Sequence, residues 1–191
     1  MSLRNVYFSE ELVPGEAVEL DRAESRHLVK VLRARRGDSV GVLNGRGTAA
    51  KAVVEEIVES RRECCCRCRV ESVRECSPLP LQVHLLVAPP RPKFMDSIIE
   101  TATALGAASI TPVLCERSVR MPTRPERWEN AAITALKQSG NAFLPELRSE
   151  LGFTDALGKS LERGYFGDIF EENQNSVPAT IPSEENLELW V

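Results

Sequence analysis

The chain has 191 residues, 42% of them hydrophobic and 27% charged, with a formal charge of −4. These values suit one large globular domain or two small ones with real cores, and no apolar run approaches the roughly 20 residues that a membrane helix needs. The acidic balance argues against non-specific coating of DNA, and an N-terminus without an apolar secretion core points to the cytoplasm and away from the membrane.

The charge is unevenly spread. Residues 1–76 carry 14 basic and 13 acidic side chains, whereas residues 77–191 carry 10 and 15. Six basic residues fall between Arg22 and Arg36 (Arg22, Arg26, Lys30, Arg33, Arg35 and Arg36) against one acidic residue, Glu24.

Along the first half, Val6-Tyr7-Phe8 reads as a strand, and Ala17–Leu20 follows the turn at Pro14-Gly15 as a second. Asp21 is an N-cap with Glu24 three residues on, a capping-box pattern. The helix it starts carries Leu28, Val31 and Leu32 on one face and Arg26, Lys30 and Arg33 elsewhere. Arg35-Arg36-Gly37-Asp38 turns the chain into the strand Ser39–Leu43, and Asn44-Gly45 is a tight turn before Thr48–Val58. Short strands at this spacing predict a small barrel. From spacing alone a solvated face is the simplest account of the basic helix. The sharper account is an RNA-phosphate surface, since Arg can grip phosphate bidentately. His27 reads as a structural group.

Four of the six cysteines lie in Cys64-Cys65-Cys66-Arg67-Cys68. Strand alternation places Cys64, Cys66 and Cys68 inward with Val70, as small apolar groups. Zinc sites set cysteine pairs on turns with a second pair elsewhere, so packing is expected and no metal.

Ser77-Pro78-Leu79-Pro80 reads as a linker dividing residues 1–76 from 77–191. Leu81–Val87 is a strand holding His84, and Ala88–Lys93 is the loop from its carboxyl end, where Arg91 and Lys93 could meet an anion. Phe94, Ile98, Ile99, Ala102 and Leu105 have helical spacing, stopped by Gly106. Ser109–Leu114 is a strand in which Pro112 suggests an edge or a bulge. Thr123-Arg124-Pro125-Glu126 caps a helix through Trp128, Ala131, Ala132, Ala135 and Leu136 that closes at Gly140, and a shorter helix covers Phe153–Arg163. Leu187–Val191 is an apolar run that reads as a buried parallel strand. Alternating strands and helices predict a mainly parallel α/β layer, and ligands of such sheets sit outside the carboxyl ends of strands.

The ordered set of motifs resembles the RsmE family, SPOUT-class enzymes that methylate N3 of a uridine in small-subunit (16S) ribosomal RNA. In the first half the resemblance rests on Arg4–Phe8, Ser25–Arg33, Arg36-Gly37-Asp38 and Leu43–Gly47. In the second it rests on Thr101–Gly106, Ile110-Thr111-Pro112, Glu116–Val119, Ala135–Asn141 and Pro145-Glu146-Leu147. It implies an α+β two-domain fold, with a PUA-like barrel over 1–76 and an α/β SPOUT (trefoil-knot) domain over 77–191 that stops before the knot. The family has Lys and Glu where this chain has Thr101 and Ala104, and an acidic residue and an Arg where it has Lys137 and Asn141. In the family the strand matching Leu187–Val191 runs into a Gly-Pro-Glu-Gly-Gly loop of the cofactor pocket.

The resemblance implies S-adenosylmethionine as cofactor, with Leu189, Trp190 and Val191 at the rim of an incomplete pocket. RNA contact is implied at Arg4, Arg22, Arg26, Lys30, Arg33, Arg35 and Arg36. The partners would be small-subunit rRNA or the assembled small ribosomal subunit, and a second copy in a homodimer, with Arg117, Arg120 or Gln138 serving substrate or subunit interface. No catalytic base is assigned. The 191 residues alone are expected to bind no S-adenosylmethionine and to be inactive. The alternative is a non-catalytic RNA-binding protein derived from the family.

Overall fold

The computed structural model describes residues 4–60, 64–116, 125–158, 164–166 and 186–190, without the side chains of 164–166, 186 and 190. The chain divides into two units, one of Met1–Ser77 with Ile133–Leu144 and one of Pro78–Ala132 with Pro145–Val191.

In the first unit, β1 (Arg4–Tyr7), β2 (Ala17–Leu20), β3 (Ser39–Leu43), β4 (Thr48–Glu59) and β5 (Cys64–Glu75) form one sheet in the order β1-β3-β4-β5-β2. β1 runs parallel to β3 and the other neighbours pair antiparallel. Alternation along β5 buries Cys64, Cys66, Cys68 and Val70 and exposes Arg67 and Arg69, as a sheet with one wet face requires. The Cys66 and Cys68 thiols join Val6, Val18, Leu20, Leu28, Val40, Val42 and Val54 in one core. Each fully buried aliphatic side chain there contributes about 1.5–3 kcal/mol. Burial pushes the Cys66 thiol up to about 11 and the Cys68 thiol up to about 12, because a thiolate would lose its water.

Between β2 and β3 the chain does not form the single regular helix that the spacing predicts. A short α-helix, α1 (Arg22–Arg26), passes directly into a π-helical turn at His27–Val31. Leu28 remains in the core but Val31 is 65% exposed, because each residue of a π-turn advances the helix by a smaller rotation. The capping box is also only half made. Asp21 Oδ1 accepts the Glu24 N–H at 2.8 Å, but the Glu24 carboxylate turns away to other partners.

In the second unit, β6 (Gln82–Val87) leads into α2 (Pro92–Leu105), then β7 (Ser109–Leu114) and α3 (Pro125–Ser139). Pro92 opens α2, and Gly106 ends it in the left-handed conformation at φ 84°. Of α3, Pro125–Ala132 belong to this unit and Ile133–Ser139 to the first. Two-residue strands follow, β8 (Glu146–Leu147) and β9 (Leu151–Gly152), then α4 (Phe153–Gly158), β10 (Gly164–Phe166) and β11 (Asn186–Trp190). The expected extension of α4 to Arg163, and the cap at Thr123-Arg124, lie outside the described residues.

The second sheet is parallel, in the order β10-β11-β6-β7-β8, with β9 also on β7. Pro112 is therefore on an interior strand, not on an edge. It falls in a gap: β8 pairs with Ser109 and Ile110, and β9 with Val113 and Leu114. A residue without an N–H is tolerated where the neighbouring ladder is interrupted. Among the described residues no helix is long and apolar enough to cross a membrane.

Candidate nucleic-acid interface and cofactor face

Helix α1 is held against β1 by its one acidic residue. Glu24 Oε2 accepts the Tyr7 backbone N–H at 2.9 Å, and Glu24 Oε1 meets Lys137 Nζ at 2.5 Å. Both side chains are nearly enclosed, at 8% exposure for Glu24 and 11% for Lys137. Asn5 Nδ2 donates to the Lys137 carbonyl at 3.0 Å. A buried carboxylate needs such a full set of partners.

With Glu24 turned inward, the basic residues around it are exposed. Arg4, Arg22, Arg26, Lys30, Arg33, Arg35 and Arg36 are all on the surface. Two of them already have internal partners, since Lys30 pairs with Glu59, and Arg4 Nη1 lies 3.5 Å from Asp38. Arg22, Arg26, Arg33, Arg35 and Arg36 have no ion pair among the described residues.

The segment after α3 packs on the turn between β3 and β4. Gly47 N–H bonds the Ala142 carbonyl at 2.9 Å, and Leu144 N–H bonds the Gly45 carbonyl at 2.9 Å. Asn141 Oδ1 accepts the Phe143 N–H at 3.2 Å and so shapes this loop. Lys137 and Asn141, two of the four departures from the family pattern, thus have structural work in the first unit. Gln138 is exposed on the same stretch of α3. Arg117 and Arg120 lie outside the described residues.

In the second sheet the strand order reverses direction at β6. The chain moves from β6 through β7 to β8 on one side, and β11 and β10 lie on the other. The carboxyl ends of β6 and β11, near Val87 and Trp190, therefore mark a topological switch point. A groove of about 730 Å³ runs along the α2 face of these strands, from Val83, Leu105 and Ala107 at their amino ends to Val87 and Pro90 at the carboxyl end, with Leu85 and Leu189 in its wall. Its lining is almost wholly apolar, and Arg91 and Lys93 follow Pro90 as exposed cations. Leu189 thus forms part of a groove wall. Trp190 is described only through its backbone in β11, and Val191 lies outside the described residues.

The opposite face of the sheet carries a polar row in register, Glu188, His84 and Ser109. His84 Nδ1 and Ser109 Oγ are 2.8 Å apart, and Glu188 is 7% exposed. His84 is a strand histidine held by its neighbours. Among the described residues no three His, Cys, Asp or Glu side chains gather as a metal site would require.

Residues 77–187 match the profile of an RNA methyltransferase domain, and residues 20–67 that of an RNA methyltransferase PUA domain. This chain belongs to the RsmE family of RNA methyltransferases. It is 32% identical over 161 residues to ribosomal RNA small subunit methyltransferase E of Synechocystis, covering 83% of this chain and 51% of that protein. The Aquifex aeolicus protein of the same name is 26% identical over 171 residues, covering 87% of this chain and 72% of that protein. This RsmE-family chain spans about half the length of the Synechocystis relative.

Among solved structures, the Neisseria gonorrhoeae methyltransferase E bound to S-adenosylmethionine superposes with a TM-score of 0.82 at 26% identity, over 98% of this chain and 78% of that one. A Legionella pneumophila methyltransferase gives a TM-score of 0.83 at 24% identity, over all of this chain and 80% of that one, and shares the fold. The RsmE-family fold is thus a PUA-like unit joined to an α/β methyltransferase unit.

Sequence reasoning missed Glu24 and Lys137 as a pair. Two signals pointed to them: Glu24 is the single acid inside a basic run, and Lys137 stands where the family carries an acid.

Proposed function

We propose that the protein methylates N3 of a uridine in small-subunit ribosomal RNA, with S-adenosylmethionine as methyl donor. The observation that carries this reading is the row of exposed arginines around α1, free of internal ion pairs among the described residues, on a unit that matches an RNA methyltransferase PUA domain. The identity with the small-subunit methyltransferases E and the cofactor bound in the Neisseria relative support the substrate and the donor.

Arg22, Arg26, Arg33, Arg35 and Arg36 would hold RNA phosphates and fix its register, leaving sequence to be read elsewhere. The target uridine must leave its stack to be reached, at a cost of a few kcal/mol that is least in single-stranded RNA. N3 carries a proton, which must leave as the nitrogen forms its bond to the methyl carbon.

S-adenosylmethionine supplies an electrophilic methyl group on a sulfonium. At the switch point the apolar wall of Leu85, Val87 and Leu189 would suit its adenine ring, and the exposed Arg91 and Lys93, just after Pro90, would suit its carboxylate. The protein's contribution is then orientation and exclusion of water, with the uracil nitrogen aligned on the methyl carbon. A homodimer in which Gln138, Arg117 or Arg120 serves the partner's site completes the reading, and a cytoplasmic address follows from the substrate.

The test is to compare small-subunit rRNA by mass spectrometry from cells with and without the gene. Loss of N3 methylation at one uridine supports the reading. An unchanged modification pattern, or loss of a mark on another atom or on the large subunit, would contradict it.

A further inference from the structure

Arg22 and Arg26 stand one helical turn apart on α1, about 6 Å along its axis. A continued α-helix would bring Lys30 next onto that face. The π-turn changes this. The Leu32 N–H bonds the His27 carbonyl, five residues back, at 3.0 Å, and the Ala34 N–H bonds the Leu28 carbonyl at 3.1 Å. With one extra residue in the turn, Val31 is turned out to the surface at 65% exposure, and Lys30 pairs with Glu59.

The chain leaves the turn through Arg33, whose φ of 54° is the only positive value at a non-glycine residue among those described. That left-handed conformation costs roughly 1–2 kcal/mol in an L-residue. A widened turn and a strained exit together hold one apolar side chain out of the core and in water. Such local costs collect where a site needs them.

We propose that Val31 is an apolar contact for an unstacked base or ribose of single-stranded RNA, between phosphates gripped by Arg22 and Arg26 on one side and Arg33 on the other. The charge around Val31 selects the occupant. Five arginines without internal ion pairs among the described residues suit a polyanion, and they would oppose burial against an apolar protein surface. An unstacked nucleotide offers both features at once, a phosphate for each cation and an apolar face for the valine. This inference rests on the reading of α1 as the RNA surface.

The test measures binding of the 191-residue chain to an unstructured small-subunit rRNA oligonucleotide across a salt series. Val31→Ser, Val31→Leu and Arg22→Ala are compared with the parent chain. An apolar contact predicts that Val31→Ser weakens binding roughly three- to tenfold at every salt concentration, with an unchanged slope of log affinity against log salt. Val31→Leu keeps the affinity, and Arg22→Ala lowers both affinity and slope. If Arg22→Ala weakens binding and Val31→Ser does not, the Val31 contact is wrong and the RNA surface stands. If neither variant weakens binding, the RNA surface itself is wrong and the contact falls with it. An equal loss for Val31→Ser on a fully paired duplex, which hides its base faces, would also overturn the contact.

Discussion

Lys137 Nζ and Glu24 Oε1 meet at 2.5 Å although 113 residues separate them in the chain. Glu24 also receives the Tyr7 N–H, so one carboxylate ties α1, β1 and the end of α3 together. Breaking a buried pair by removing one partner leaves an uncompensated charge and costs about 3–5 kcal/mol. Lys137→Met should therefore lower the unfolding free energy by about that amount in urea melts. Glu24→Gln combined with Lys137→Met should recover part of the loss, because it removes the stranded charge and keeps an acceptor for Tyr7. Equal stability of Lys137→Met and the parent chain would show that the pair contributes nothing.

The turn between β3 and β4 is built for glycine at two places. Gly45 has φ 72° and Gly47 φ 102°. A Cβ at Gly45 would stand 2.7 Å from Leu144 Cδ1, and one at Gly47 2.7 Å from Phe143 Cζ. Gly47→Ala should cost roughly 1–3 kcal/mol through strain and displacement of Phe143. Thermal melts read the loss, and Gly15→Ala, at φ 85° with nothing within 4 Å of its Cβ, measures the backbone strain without the clash, so Gly47→Ala should cost more.

The buried thiols set an alkaline limit on stability. Cys66 and Cys68 are pushed up to about 11 and about 12 by burial, against an ordinary value of 9.0. Above pH 9 the unfolded chain releases these protons and the folded chain keeps them. Stability is therefore full below about pH 9 and falls between pH 9 and 12, by up to about 1.4 kcal/mol per pH unit for each thiol. Replacing both with Val or Ala should flatten that decline in denaturant melts taken across the range. In native protein at pH 8, iodoacetamide should label the half-buried Cys65, Cys76 and Cys115 before Cys64, Cys66 and Cys68.

What the sequence made legible was periodic and local. Alternation along Cys64–Val70 told which cysteines pack, because the side-chain period of a strand is two. The apolar run at 187–191 was legible as a parallel strand because of its composition; the described strand is Asn186–Trp190, with Leu187 and Glu188 buried. The π-turn was not, since helical spacing from Ser25 to Leu32 fits a regular helix, and the exit through Arg33 has no sequence marker. β8 and β9 have two residues each, too few to show a period. The signals at Glu24 and Lys137 did not show that the two residues meet, since 113 positions separate them; the pair is one of the bonds that hold residues 133–144 in the first unit although the methyltransferase profile spans 77–187.

The central claim is that α1 and the turns beside it grip ribosomal RNA through arginines that have no ion pair among the described residues, and one measurement addresses it directly. Arg22, Arg26 and Arg33 are reversed together to Glu, and affinity for small-subunit rRNA is followed by fluorescence anisotropy over a salt series. Loss of three phosphate contacts should weaken binding at low salt by two orders of magnitude or more, and should make the slope of log affinity against log salt shallower by about two to three. Lys30→Ala, which removes a side chain already paired with Glu59, should change little. Parent-like affinity and slope in the triple reversal would contradict the account.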